Sequence, residues 1–377
     1  MFKAFIVKHR LEIIMTAAAA VLAAGIGTAA YVKSASELES ELEQTTVAET
    51  VTEETTTEKV TEEETTADPR EGLVQSLLTG EYVDEETASK RPLAVMINNI
   101  VNANPQSGIG SAGVIYEAPV EGGITRLMAI FEDYSSVERI GSVRSCRIYY
   151  CYFALEFDAI YAHYGQSKYA LSFVQSSSID NVGSYGTGAS AYYRDSSISS
   201  PHNVFFDPED MAETIESLGY DTEYDDDYEG KFVFAEDEDE ITLDDGTAAN
   251  TVYPGYSVNN PYFVYNEETG LYERYQYGSA HVDKTTGEQL TCKNIIIQCV
   301  ASTYYDDNKS LSLTLTGTGS GYYITGGKAV SVTWKKESET GITRYYDSSG
   351  DEITLNIGKT WVLIVQSSQS SSISISE

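Results

Sequence analysis

The sequence predicts an α+β protein: a mixed α/β N-terminal domain followed by a mostly antiparallel β C-terminal domain, set behind an N-terminal transmembrane helix and a disordered acidic stalk. Three observations carry this. An uncharged apolar run near the start gives way to a Glu/Thr-rich stretch. Residues 71–220 hold short apolar runs bounded by Gly, Pro and Asn, with one well-capped helix pattern. Residues 246–365 alternate apolar with Tyr and Thr between Gly- and Ser-containing turns, at roughly ten-residue spacing.

Residues 1–35 read as a cytoplasmic tip and signal-anchor. Lys3, Lys8 and Arg10 precede the uncharged run Ile13–Val32, and Glu37, Glu39, Glu41 and Glu43 follow it. About 20 apolar residues span a bilayer core. Basic flanks stay inside, so a single-pass arrangement is expected, with a cytoplasmic N-terminus and the rest outside the cell membrane. A cleavable signal peptide cut near Thr28-Ala29-Ala30 is the rival reading. No Cys follows the run to accept a lipid, so the cytoplasmic membrane is expected to hold the chain through residues 13–32. Residues 36–70 have almost no large apolar residues after Leu42. They cannot bury enough surface to fold, and they read as a self-repelling stalk.

Within 71–220, LAVMINNI (93–100), GVIYEAPV (113–120) and ITRLMAIFE (124–132) read as buried strands. FALEFDAIYAHYG (153–165) fits either a helix end or a strand. DPEDMAETIESLGY (207–220) has a capping Asp, Pro in the first turn, early acids and a terminal Gly, which together predict a helix. Residues 221–245 form an acidic linker, with a calcium site as the sharper alternative. Neither acid run there has the spacing of a calcium-binding loop. Residues 246–365 form the β-rich domain, in which GTGSGYY (317–323) belongs to a hairpin and not to a nucleotide loop. Residues 366–377 form a Ser-rich tail, expected to fray.

The formal net charge of −34 is localised. Residues 36–68 carry twelve acids against one Lys, and residues 205–245 carry eighteen against one Lys. Residues 91–204 carry nine acids and seven bases. Such acidity repels phosphate backbones, so nucleic acid is excluded as a partner. The four cysteines, Cys146, Cys151, Cys292 and Cys299, are too few for a disulfide scaffold, and their spacings have no zinc-site character. They read as small buried thiols. No metal and no cofactor is expected.

The near-neutral stretch is where chemistry is expected. Asn98 and Asn99 end a strand, and Pro105, Gln106, Ser107 and Gly108 form a turn. Glu117 and Glu121 flank a kink before Gly122-Gly123, and Arg126 follows. Arg144 and Arg147 are three apart, which on a helix would place them on one face. Arg194, His202 and Asn203 come later. Arginine offers a planar donor fork for carboxylate or phosphate. The arginines therefore point either to an anion site or to internal ion pairs with Glu117, Glu121, Asp158 and Asp195. The candidate ligand-binding set is Asn98, Asn99, Gln106, Ser107, Glu117, Arg126, Arg144, Arg147, Arg194, His202 and Asn203. An enzyme reading rests on Glu121, Asp158 and His163 as candidate catalytic groups. Glu117 and Glu121 as a glycosidase-like pair would lie about 13 Å apart along a strand, too far without a bend.

RPLAVMINN, PQSGI, EGGITRLMAIF, GSVRSCR, DAIYAHYGQS, YYRD and PHN occur in that order in 91–203, and NIIIQ, GSGYYITGGK and TRYYDSSGDEITLNIGKTW occur later. In these motifs the chain resembles the YerB-like lipoprotein family over about 91–365. The resemblance implies a Gram-positive cell-envelope setting and a mixed α/β first domain, but no catalytic residue. Family members are typically lipid-anchored through a Cys, from which this chain departs. The leading expectation is therefore a non-enzymatic envelope protein that binds a polar or anionic ligand, a peptidoglycan fragment or a partner protein. The alternative is a hydrolase of wall polymers.

Overall fold

A computed structural model describes residues 70–236 and 240–377. Residues Ala67–Glu377 form one compact unit. The expected membrane span at 13–32 and nearly all of the stalk lie outside the described residues. Among the described residues no helix is long and apolar enough to cross a membrane.

The N-terminal half contributes strands β1 (Leu93–Asn98), β2 (Val114–Pro119) and β3 (Thr125–Phe131), helix α1 (Ile148–Leu155), short strands β4 (Ile160–Ala162) and β5 (Asn181–Val182), and helix α2 (Pro208–Leu218). The ambiguous 153–165 segment is thus both readings in succession, a helix end and then a strand. α2 begins after Asp207, has Pro in its first turn and stops at Gly219, which takes the left-handed conformation at φ 72°. The C-terminal half contributes β6 (Val233–Phe234), β7 (Thr247–Ala248), β8 (Thr251–Tyr253), β9 (Tyr262–Asn266), β10 (Leu271–Gln276), β11 (Asn294–Tyr304), β12 (Gly317–Thr325), β13 (Lys328–Lys336), β14 (Thr354–Leu355), β15 (Thr360–Gln366) and β16 (Ser374–Ser376).

Both halves meet in one 12-stranded mixed sheet, in which ten strands follow the path β7-β13-β12-β11-β15-β2-β3-β1-β4-β5 and two short strands pair off it, one with β11 and one with β13. The junction is β15 against β2, parallel, with Thr360 opposite Val114 and Leu363 opposite Glu117. Every residue of β1, β2 and β3 is buried, as expected of strands covered on both faces. Successive side chains alternate between two cores. Ala94, Met96, Tyr116, Met128, Val362 and Ile364 pack on the α1 side. Val95, Ile97, Ile115, Leu127, Trp361 and Leu363 pack on the other, against α2 and a second, antiparallel sheet that includes β8, β9, β10 and β16.

Two segments differ from expectation. The tail does not fray: β16 pairs with β8, Ile375 opposite Val252, and Ile373 and Ile375 pack on the core. Its Ser-Ile-Ser-Ile-Ser pattern is the period-2 alternation of a half-buried strand. Within the acidic stretch 221–245, Phe232 and Phe234 are buried, and β6 pairs parallel with β14. An apolar insert therefore ties this connection into the fold between its acid runs.

A candidate anion-binding patch at the start of helix α1

Side-chain alternation sorts the sequence candidates onto opposite faces of the sheet. Asn98 and Arg126 stand opposite each other in the β1–β3 ladder, in register with Met96 and Met128 on the α1 side. Glu117, in register with Ile115, faces the second sheet.

The chain from Gly141 to Arg147 is extended and runs beside the end of β1, with bridges Ile97–Val143 and Cys146–Gln166, so Val143 packs in the core opposite α1 and Cys146 in the α1 core. Arg144 and Arg147 therefore do not share a helix face. Val143 and Cys146 are taken up by bridges to other segments, so the helix starts only after Arg147. The arginines still converge. Arg126 is almost fully buried, and its guanidinium donates to the Ser145 carbonyl. Burial, then the charges of Arg147 and Arg144, lower its pKa to about 10. Arg144 is lowered by burial and by Arg147, donates to the Pro201 carbonyl at 2.9 Å, and leaves its buried Nε without a partner. Arg147 grips Glu121 through two nitrogens, Nε at 2.9 Å and Nη2 at 2.6 Å. Burial raises the Glu121 carboxyl, but Arg147 more than offsets that and holds it below its ordinary value. The turn that presents Glu121 needs glycine, because Gly122 and Gly123 sit at φ 77° and 74° and are exposed.

His202 borders this group. The Asn98 amide donates to its Nδ1 at 2.9 Å, and burial, then Arg144, lower its pKa. Arg194 lies on the rim: it donates to Asn203 Oδ1 at 2.8 Å and stacks over Tyr164, whose N–H bonds the Arg144 carbonyl. Three mutually repelling guanidiniums thus share one carboxylate, and Arg126, Arg144 and Arg194 bond neutral oxygens. The backbone N–H groups at the start of α1 add positive dipole, and the Arg147 side chain makes no cap hydrogen bond there. Such an arrangement can hold a carboxylate or phosphate.

The remaining candidates lie in the interior. Glu117 is fully buried and ion-pairs with Arg274 at 2.7 Å. Thr125 (2.7 Å), Asn259 (2.7 Å) and Asn99 (3.2 Å) also donate to it. Gln106 links Asn99 to His281. Ser107 joins the same interior through its backbone bridge to Gly141, its hydroxyl unpaired. Arg274 Nε and Nη1, Gln276 Nε2, Asn259 Oδ1 and His281 Nδ1 are also buried without partners. A cavity of about 150 Å³ is lined by residues that include Asp283, Leu290, Cys292 and Trp361, the last of which lies against the Arg274 guanidinium; buried polar atoms without protein partners are ordinarily met by ordered water. Sequence reasoning missed Arg274, Asn259, Gln276 and His281. The available signal was the alternation in β10, which buries Tyr272, Arg274 and Gln276 together.

The three catalytic candidates are not brought together. Glu121 is held by Arg147. Asp158, beyond the far end of α1, faces Arg91 at 3.4 Å and accepts from the Asp225 N–H. His163 is buried, its nitrogens against Gly165 O (2.8 Å) and Asn181 Oδ1 (3.2 Å). Among the described residues, no group of three His, Cys, Asp or Glu side chains could hold a metal ion.

Comparison with known proteins gives a consistent result. Residues 78–221 match the family model "Protein of unknown function (DUF3048) N-terminal domain", and residues 251–362 match its C-terminal domain. A Bacillus subtilis (strain 168) protein described as "Putative lipoprotein YerB" is 27% identical over 301 residues, covering 80% of this chain and 88% of that one. The crystal structure of the YerB protein from Bacillus subtilis superposes with a TM-score of 0.71 at 26% identity, covering 81% of this chain and all of that one.

Proposed function

This chain belongs to the two-domain DUF3048 family and is similar in sequence and fold to the YerB protein of Bacillus subtilis, and on that premise we propose that it is a membrane-anchored, extracytoplasmic cell-envelope protein that binds an anionic ligand group at Arg126, Arg144 and Arg147. The envelope setting is supported by the lipoprotein name of the relative and by the basic-then-acidic flanks of Ile13–Val32. The single observation that carries the binding reading is the shortage of acids: Arg126 and Arg144 lie against the charge of Arg147, and among the described residues Glu121 pairs with Arg147 and no acid pairs with the other two. A surface that needed these charges only for stability would pair each with an acid. The ligand this chemistry suits is a carboxylate or phosphate carried on a wall polymer such as a peptidoglycan fragment. An acidic segment of a partner protein is the other source.

Retention of a soluble 70–377 fragment on purified wall tests this. Arg144→Ala and Arg126→Ala should each lower retention about tenfold, since one charge-assisted hydrogen bond contributes roughly 1.5–3 kcal/mol. Added salt should lower wild-type retention as well. Equal retention of wild type and both variants would remove the patch from the function.

A further inference from the structure

We propose that Cys146 and Cys151 form an intrachain disulfide that fixes the first turn of α1 beneath the arginine patch. Their sulfurs lie 3.3 Å apart with both residues buried, and a disulfide needs about 2.05 Å. A shift of little more than an ångström closes the bond. The backbone of Cys146 is held on both sides. The Cys146 N–H bonds the Gly165 carbonyl at 2.9 Å, and its own carbonyl accepts from Ser167 at 3.0 Å. Cys151 sits in the first half of α1, with Arg147 at the helix cap between the two. The bond would therefore tie down the short segment carrying Arg147. Cys292 and Cys299 provide an internal contrast: both are buried, but they lie on strands of different sheets.

The oxidant is a small-molecule or protein disulfide. One cysteine thiolate attacks it, releasing a first thiolate and leaving a mixed disulfide. The second cysteine thiolate then attacks the mixed disulfide, releasing the second. Two protein thiols are oxidised, one external disulfide is reduced to two thiols, and their two protons end on those leaving groups. Burial pushes the Cys151 thiol well above its ordinary value, so exchange is slow once α1 has packed, and the bond forms as the chain folds. The inference draws on the extracytoplasmic reading only for the natural supply of oxidant; the geometry stands apart from it.

The test uses the full-length chain, unfolded and reduced, then refolded with oxidised glutathione, denatured, alkylated and digested with trypsin. Cleavage after Arg144, Arg147 and Lys168 separates the partners, so the bond would link Ser145–Arg147 to Ile148–Lys168. The expected result is that linked pair as the main species, split by reductant, with Cys292 and Cys299 alkylated. Wild type and the Cys146→Ser/Cys151→Ser variant should show the same circular dichroism, and only wild type should lose two mass units. Four alkylated cysteines in refolded wild type, or a link involving Cys292 or Cys299, would overturn the proposal. Because no ligand is present, this result is independent of whether the arginine patch binds wall.

Discussion

At the scale of single residues, the Glu117–Arg274 pair is the most consequential contact. Both side chains are fully buried. Removing one partner strands a charge in a low-dielectric interior, at a cost of about 3–5 kcal/mol, whereas replacing both with apolar groups costs far less. Glu117→Gln should therefore lower the urea midpoint strongly, and adding Arg274→Met should recover much of the loss. A single variant within about 1 kcal/mol of wild type would contradict the pairing. His281 adds a pH dependence. Its Nε2 donates to Gln106 Oε1 at 2.6 Å and its Nδ1 is bare, so it is folded as the neutral ring. Burial, then Arg274, lower its pKa well below 6.5. Below that pH the unfolded chain takes up a proton that the folded chain refuses. Stability then falls with falling pH, by up to about 1.4 kcal/mol per unit from this group. Denaturation midpoints at pH 7.5 and 5.5 should show the decline; equal midpoints would mean that His281 is protonated in the fold.

At the scale of elements, the strands at 93–98, 114–119 and 125–131 and the helix at 208–218 were legible because each carries a local signal: an apolar run with breakers, or caps with periodicity. The arginines of the patch were legible too, through the low net charge of 91–204, although their contacts are not local: Arg147 meets Glu121 across 26 residues and Arg144 meets Pro201 across 57. The interior half of the candidate site was not. Glu117 and Arg274 are 157 residues apart, and nothing local to either predicts the other. The tail was misread for a different reason. Ser outweighs Ile in composition, but alternation decides which face is buried, and Ile373 and Ile375 share one face. Ending the chain at Gln366 should therefore destabilise it by about 2 kcal/mol, roughly the burial of two partly covered Ile side chains. An unchanged urea midpoint for that truncation would show that the strand contributes nothing.

At the scale of the whole molecule, the family's two domains share their stabilising parts. β15, from near the C-terminus, lies between β11 and β2. The carboxylate of Glu156, just after α1, is gripped by Lys231 of the connecting segment and Lys336 of β13, and Thr343 donates to it at 2.7 Å. Burial raises this carboxyl, yet the two ammonium groups outweigh burial and hold it below its ordinary value. Neither half can lose these contacts without exposing a buried charge and opening a long apolar strand edge. Unfolding should therefore be a single cooperative transition, with calorimetric and van't Hoff enthalpies in agreement, even though the chain is long enough for two independent domains. Glu156→Gln should shift that one transition downward without splitting it. A fragment ending at residue 245 should aggregate, because it leaves the β2 edge bare. Two resolved transitions in wild type, or a soluble, cooperatively melting 70–245 fragment, would show that the shared sheet does not couple the halves.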